Sequence, residues 1–189
     1  LKHSFLAKLD SRAMLSEMSW EEVKKSFIKD SNLPGGFSKE ITDFVEKQHT
    51  PTAKDLKGRV DYRSLPILCI DPVGAEDHDD AVSVEILSDG YRLGVHIADV
   101  SHYVPEGSAL DSEALSRSYT QYLPWTAIPM LPEKLSGDLC SLHEGVDRLA
   151  FTCMMRLNKK GEVQSYEFQK SVVHVKAAIS YGKEMELLA

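Results

Sequence analysis

Apolar side chains recur every three or four positions after Ser19 and again after Ser38, which is the spacing of one face of an α-helix. Both serines are favourable helix N-caps, and Glu22, three residues after Ser19, completes a capping box. Between the two patterns, Pro34-Gly35-Gly36 interrupts the helical spacing. Residues 1–50 are therefore predicted to be helical.

After Arg63 the pattern changes to that of β-strands joined in hairpins. The predicted strands cover residues 65–70, 81–87, 91–100, 149–157 and 161–175. Ser88-Asp89-Gly90 is so short a connection that the strands on either side of it must be antiparallel. A further helix is predicted to begin after Ser108. Helices and paired strands together predict an α+β fold with a mainly antiparallel mixed sheet and flanking helices.

The composition is that of an ordinary globular protein. The chain has 189 residues, of which 42% are hydrophobic and 27% charged, and this excludes collagen, wholesale disorder and a small disulfide scaffold. No run approaches the roughly 18 apolar residues of a membrane span, so we expect no membrane partner. The three cysteines are odd in number and widely spaced, and no secretory signal precedes them. A reducing, cytoplasmic location is therefore expected, and the oligomeric state is left open.

The net charge of −7 at first argues against nucleic acid as a partner. However, five acidic residues lie within the ten positions from Asp71 to Asp80, and the rest of the chain has 22 basic against 24 acidic residues. Most of the negative excess is therefore local. The charge sum then no longer weighs against a nucleic-acid partner.

The stretch from Asp71 to Asp80, called the acidic loop below, contains no lysine or arginine and lies between two predicted strands. Two carboxylates about 4 Å apart repel by about 1 kcal/mol in water and about 4 kcal/mol near a protein surface. The side chains must therefore either splay into solvent or be held together by a cation. All-oxygen ligands suit Mg²⁺, Mn²⁺ or Ca²⁺. An EF-hand beginning at Asp77 is excluded, because Val82 occupies the position at which that motif needs glycine.

The residues alone leave more than one interpretation open. The acidic loop can be a solvated turn, as most acidic runs are. It can also hold one or two Mg²⁺ ions, the usual apparatus of phosphodiester hydrolysis, because the metals stabilise the attacking and leaving oxygens. An unrelated Mg²⁺-dependent phosphatase is a more distant alternative.

A series of motifs follows one another between Arg59 and Leu149. In order they are Arg59-Val60-Asp61-Tyr62-Arg63, Ile70-Asp71, Glu76-Asp77-His78-Asp79-Asp80-Ala81, Val95-His96-Ile97-Ala98-Asp99-Val100-Ser101, Tyr122-Leu123-Pro124, Ile128-Pro129-Met130-Leu131-Pro132, Leu139-Cys140-Ser141-Leu142 and Asp147-Arg148-Leu149. Together they resemble the ribonuclease II (RNB) family of 3′→5′ exoribonucleases. The resemblance covers residues 51–189 and is closer to the ribonuclease R branch. It implies that 51–189 is the N-terminal portion of an RNB catalytic domain. Residues 1–50 match weakly, as the helical connection that precedes that domain.

The resemblance also implies a function and a set of site residues. The family degrades single-stranded RNA hydrolytically from the 3′ end and releases nucleoside 5′-monophosphates. Asp71, Asp77, Asp79 and Asp80 are implied to bind one or two Mg²⁺ ions, with Mn²⁺ as an alternative, and to position the attacking water. Among them, Asp71 and Asp80 are expected to be direct ligands and Asp79 to be indispensable for cleavage. Tyr122 and Tyr181 are implied to hold the last nucleotides, since an aromatic ring stacks on any base.

The chain also departs from the family pattern. The later half of the catalytic domain, which supplies an arginine and a glutamate to the active site, is absent from the sequence. We therefore expect a fragment of a longer protein, with a truncated, inactive RNA-binding or regulatory protein as the alternative. Arg59 and Arg63 are expected to pair with the acidic loop or with RNA phosphates. His96 and Asp99 are expected to have structural roles.

Overall fold

The computed structural model of the chain describes residues 19–31 and 33–182, which fall in two compact units, 1–36 and 37–189. In the first unit, helix α1 spans Trp20–Asp30. The Ser19 hydroxyl accepts a hydrogen bond from the Glu22 N–H, and the Glu22 carboxylate accepts one from the Ser19 N–H at 2.7 Å. The predicted capping box is thus confirmed. The helical prediction for residues 1–18 lies outside the described residues.

The second unit contains a mixed sheet and short helices. Its elements are α2 Lys39–Glu46, β1 Val60–Asp61, β2 Ile67–Asp71, β3 Asp80–Leu87, β4 Gly90–Ala98, α3 Val100–Tyr103, α4 Ala109–Arg117, β5 Gln121–Leu123, β6 Thr126–Ile128, a π-helical turn Lys134–Leu139, β7 Asp147–Asn158 and β8 Val163–Ser180. The predicted α+β fold and its hairpins are confirmed. Strand β8 runs well beyond its predicted end at residue 175. No helix among the described residues combines the length and apolarity that crossing a bilayer requires.

The five longest strands form a closed circuit. Strands β2, β3, β4, β7 and β8 pair in that order, each antiparallel to the next. Strand β8 is 18 residues long, so its first part pairs with β7 and its last part pairs in parallel with β2. The short β1 also lies parallel to β8. In this register Asp71 is opposite Ser180, which brings the ends of β2 and β8 together.

Apolar side chains of the sheet and the helices fill one core. Ile67 and Val173, from β2 and β8, are fully buried in it, and Ile41 and Val45 of α2 pack into the same core. Helix α2 therefore contacts the same core as the sheet. The predicted boundary between a helical connection, residues 1–50, and the domain portion, residues 51–189, stays a prediction.

A buried chain of hydrogen bonds crosses the interior of the sheet. The His96 ring bonds Ser83 Oγ at 3.0 Å through Nε2 and Thr152 Oγ1 at 2.8 Å through Nδ1. Thr152 in turn bonds the hydroxyl of Ser171 at 2.7 Å. A Cβ at Gly94 would lie 2.5 Å from Ser83 Oγ, so only glycine fits beside this network. The predicted structural role of His96 is confirmed.

The outer face of the same strands is also rich in apolar side chains. The exposed ones, which the strand register places on one face, are Val84, Ile86, Ile97, Phe151, Tyr166 and Phe168. The rings of Phe151 and Phe168 stack with their centroids 6.0 Å apart. A contiguous apolar face is typical of a surface that contacts another polypeptide.

Stability should fall on acidification because His96 is buried. Burial lowers the pKa of His96 from 6.5 to about 4, whereas in the unfolded chain the imidazole takes up a proton below about pH 6.5. The unfolded state therefore binds more protons between these values, and folding weakens as the pH falls through that window. We expect the free energy of unfolding to be about 2–3 kcal/mol lower at pH 4.5 than at pH 7. Urea unfolding of the protein and of His96→Gln measures this, and equal pH slopes for the two would contradict it.

Candidate active site

Two strands hold the ends of the acidic loop. Asp71 is the last residue of β2, and Asp80 is the first residue of β3. Between them the chain turns at Gly74, whose φ of +82° favours glycine. Asp80 pairs with Ile97 of β4, and the carbonyl of Asp79 accepts a hydrogen bond from the Ala98 N–H at 2.9 Å. The carboxylates thus lie on a loop carried by rigid elements, as the sequence predicted.

The middle of the acidic loop is fastened by the segment that follows the π-helical turn. The Ser141 hydroxyl accepts a hydrogen bond from the His78 N–H at 3.0 Å and donates one to the Glu76 carbonyl at 2.8 Å. The Leu142 N–H donates to the His78 carbonyl at 2.8 Å. The carbonyl of Ser141 accepts from Nε of the buried Arg148 at 3.0 Å. The Leu-Cys-Ser-Leu and Asp-Arg-Leu motifs are therefore the anchor of the acidic loop.

The four predicted aspartates lie in one electrostatic neighbourhood. Loss of solvent around the Asp79 carboxylate raises its pKa, and the negative charges of Asp77, Asp80 and Asp71 raise it further. Burial raises the pKa of the Cys69 thiol to about 12, with Asp71 and Asp80 contributing. The structure thus brings together all four of these residues, and their mutual repulsion favours any arrangement that adds positive charge.

Two of the four carboxylates are engaged by neighbouring side chains. Oδ2 of Asp71 lies 2.7 Å from Nδ1 of His78. Oδ2 of Asp77 accepts a hydrogen bond from the Tyr122 hydroxyl at 2.7 Å, and this bond raises the pKa of Tyr122 to about 12. The sequence alone did not identify the contact of His78 with Asp71.

The four aspartate carboxylates are chemically suited to a hard divalent cation, although their side chains are not directed at one common position. Among residues 19–31 and 33–182, no three His, Cys, Asp or Glu side chains are placed to hold a metal ion. In the same part of the chain, no lysine or arginine forms an ion pair with Asp71, Asp77, Asp79 or Asp80. Four carboxylates without a lysine or arginine partner among these residues are the kind of ligand that Mg²⁺ and Mn²⁺ take.

The expected pairing of Arg59 and Arg63 with the acidic loop is wrong. Arg59 forms a buried ion pair with Asp99 at 2.6 Å. Arg63 bridges Asp61 and Asp147 at 2.6 Å and 2.8 Å. Both arginines are therefore used to hold the fold, and the acidic loop keeps its full negative charge.

Both predicted tyrosines lie beside the acidic loop. Tyr122, on the β5–β6 hairpin, has a ring that is 70% exposed although its hydroxyl bonds Asp77. Tyr181 directly follows β8, is 61% exposed, and its N–H donates to the carbonyl of Asp71 at 2.9 Å. Residues 71–77 and the β5–β6 hairpin, together with Glu133, Ser136 and Gly137, line a cleft of about 700 Å³. Of the predicted site residues, Asp71, Asp77 and Tyr122 line this cleft.

Residues 59–189 match the RNB domain. The chain belongs to the RNB domain family. This RNB chain is 48% identical over 159 residues to ribonuclease R of Thermotoga maritima. Its structure is similar to that of Mycoplasma genitalium RNase R in complex with double-stranded RNA, with a TM-score of 0.81 and 30% identity over 87% of the chain. It is also similar to yeast Ssd1, described as a pseudonuclease, with a TM-score of 0.66 and 25% identity over 75% of the chain.

The RNB chain spans only part of these relatives. The alignments cover 22% of Thermotoga maritima ribonuclease R, 29% of the Mycoplasma genitalium chain and 18% of Ssd1.

Proposed function

We propose that this chain forms part of a Mg²⁺-dependent 3′→5′ exoribonuclease that hydrolyses single-stranded RNA to nucleoside 5′-monophosphates. Similarity to ribonuclease R supports the reaction class, and the relative's structure with RNA supports the substrate class. The observation that carries the proposal is the acidic loop itself, which two exposed tyrosines contact, Tyr181 at Asp71 and Tyr122 at Asp77. Such a site pairs oxygen ligands for a cation with aromatic surfaces for bases.

The acidic loop would supply the ligands. In this proposal Asp71, Asp77, Asp79 and Asp80 hold one or two Mg²⁺ ions, or Mn²⁺ in their place, and position the attacking water. When bound, the cation contributes charge that stabilises the attacking and leaving oxygens and acidifies the water. The repulsion that raises the pKa of Asp79 supports this role, because a bound cation would relieve it.

The two tyrosines would position the RNA. Their exposed rings can stack on bases of any sequence, at about 1–3 kcal/mol for each base. Tyr122 is tied to Asp77 through its hydroxyl, and Tyr181 is tied to Asp71 through its backbone. Both rings would therefore meet bases close to the acidic loop.

Similarity to a pseudonuclease supports a second candidate, a non-catalytic RNA-binding or regulatory protein. The carboxylates do not converge on one point within the described residues, which also favours it. In either case we place the protein in the cytoplasm, because Cys69, Cys140 and Cys153 are all free thiols.

Metal removal distinguishes the two functions. The whole protein would be incubated with 5′-labelled single-stranded RNA in Mg²⁺ and in EDTA, and the products would be separated by gel and by chromatography. We expect stepwise shortening from the 3′ end and release of nucleoside 5′-monophosphates in Mg²⁺, and neither in EDTA. Binding of RNA without any shortening would favour the non-catalytic candidate. Equal shortening in EDTA would contradict the metal dependence.

A further inference from the structure

We propose that His78 is a positioning residue that orients the Asp71 carboxylate for the divalent cation. This inference rests on the proposed function, because it assumes that Asp71 is a ligand. It concerns a residue whose side chain the family resemblance does not assign to the site. Its basis is the 2.7 Å contact between Nδ1 of His78 and Oδ2 of Asp71.

The direction of this hydrogen bond follows from the chemistry of the acceptor. An ionised carboxylate can only accept, so Nδ1 carries the proton and donates it to Oδ2. One oxygen of Asp71 is thereby held in place while the other oxygen stays available to a cation. Ligating carboxylates in metal sites are commonly fixed in this way by an outer partner.

The backbone of His78 is fixed independently of its ring. Its N–H donates to Ser141 Oγ and its carbonyl accepts from the Leu142 N–H. The buried Ser141 is in turn held by Arg148. The ring itself meets His143 edge to face, with centroids 5.6 Å apart. Because the main chain and the ring plane are both restrained, the direction of Nδ1 is set before any cation arrives.

The test distinguishes the effect of losing the hydrogen bond to Asp71 from the effect of losing the packing of the His78 ring. His78→Phe keeps an aromatic ring against His143 but removes Nδ1, whereas His78→Asn keeps a donor near the position of Nδ1. Binding of Mn²⁺ to the whole protein would be measured by the loss of the free-ion signal in electron paramagnetic resonance. We expect His78→Phe to weaken Mn²⁺ binding by about tenfold, and His78→Asn to retain most of the affinity.

A matched control comes from another histidine–aspartate pair. Nδ1 of His174 lies 2.8 Å from Oδ1 of Asp147, away from the acidic loop. His174→Phe removes an equivalent hydrogen bond, and we expect Mn²⁺ affinity to stay at the wild-type value. If His78→Phe does not fold, as judged by circular dichroism in EDTA, His78→Ala takes its place.

The results that would overturn this inference differ from those that would overturn the proposed function. Wild-type affinity in His78→Phe would overturn the inference, and so would an equal loss in folded His78→Phe and His78→Asn. In both cases a wild-type protein that binds Mn²⁺ and degrades RNA would leave the proposed function standing. A wild-type protein that binds no Mn²⁺ would overturn both.

Discussion

Replacing Asp79 with asparagine is expected to reduce RNA degradation by more than about 100-fold, because a metal site contributes several kcal/mol of transition-state stabilisation. The change removes one negative charge and keeps the shape of the side chain. The initial rate of 3′ shortening by the whole protein, at saturating Mg²⁺, measures the effect. Stepwise degradation at a rate close to that of the wild type would contradict the role given to Asp79.

The same variant should not lose stability when the metal is absent. The pKa of Asp79 is raised in the folded chain, so its ionised form costs folding free energy at neutral pH, and asparagine removes this cost. We expect the free energy of unfolding of Asp79→Asn in EDTA to equal or exceed that of the wild type. A loss of activity together with a loss of stability would instead indicate a structural role.

Asp89→Asn is a matched control for this experiment. Asp89 lies in the turn between β3 and β4 and pairs with the exposed Arg156 at 2.6 Å. The substitution makes the same chemical change on the surface, outside the acidic loop. Both the rate of RNA degradation and the affinity for Mn²⁺ should stay at wild-type values.

Replacing Asp99 with alanine is expected to lower the free energy of unfolding by about 3–5 kcal/mol. Asp99 and Arg59 form an ion pair whose side chains are only 2% and 5% exposed. Burial raises the pKa of Asp99, but the hydrogen bonds from Ser101 and Arg59 and the charge of Arg59 outweigh it, so the net pKa is lowered. Without Asp99, the guanidinium is left buried and uncompensated. Urea unfolding at pH 7 measures the loss.

A double variant tests this explanation. Arg59→Met combined with Asp99→Leu removes both charges and fills the space with apolar side chains, so most of the lost stability should return. The guanidinium also lies 3.4 Å from the Ser171 carbonyl and 3.5 Å from the Ala150 carbonyl, and only the double variant loses these contacts. A double variant as unstable as Asp99→Ala would contradict the unpaired charge as the cause of the loss.

Local patterns were sufficient to predict most of the fold. The capping box at Ser19, the short turn at Ser88-Asp89-Gly90 and the alternation along β3 depend only on neighbouring residues, and each is found in the structure. The full length of β8 was not predicted. Its last residues are strand because they pair with β2, whose sequence is far away along the chain. The β5–β6 hairpin and the π-helical turn were not predicted either, because segments this short show too little periodicity.

The site was predictable as a list of residues but not as an arrangement. Carboxylate density selected the acidic loop, and the family resemblance selected Tyr122 and Tyr181. The contact of Asp71 with His78 and the anchoring role of Ser141 could not be deduced from spacing. The Ser141 contacts join residues more than 60 positions apart, because the segment after the π-helical turn folds back on the acidic loop. The contact of Asp71 with His78 lies within the acidic loop and depends on how that loop is folded.

The closed strand circuit has a consequence for the order of folding. The β3–β4 and β7–β8 hairpins join neighbouring stretches of chain, whereas the β2–β8 pairing joins Asp71 to Ser180. The chain entropy lost on closing so long a loop makes that pairing slow relative to the hairpins. Asp71 and Tyr181 meet only when it forms. We therefore expect the surface that joins Asp71 to Tyr181 to form after the hairpins, and partly folded chains without the β2–β8 pairing to lack it.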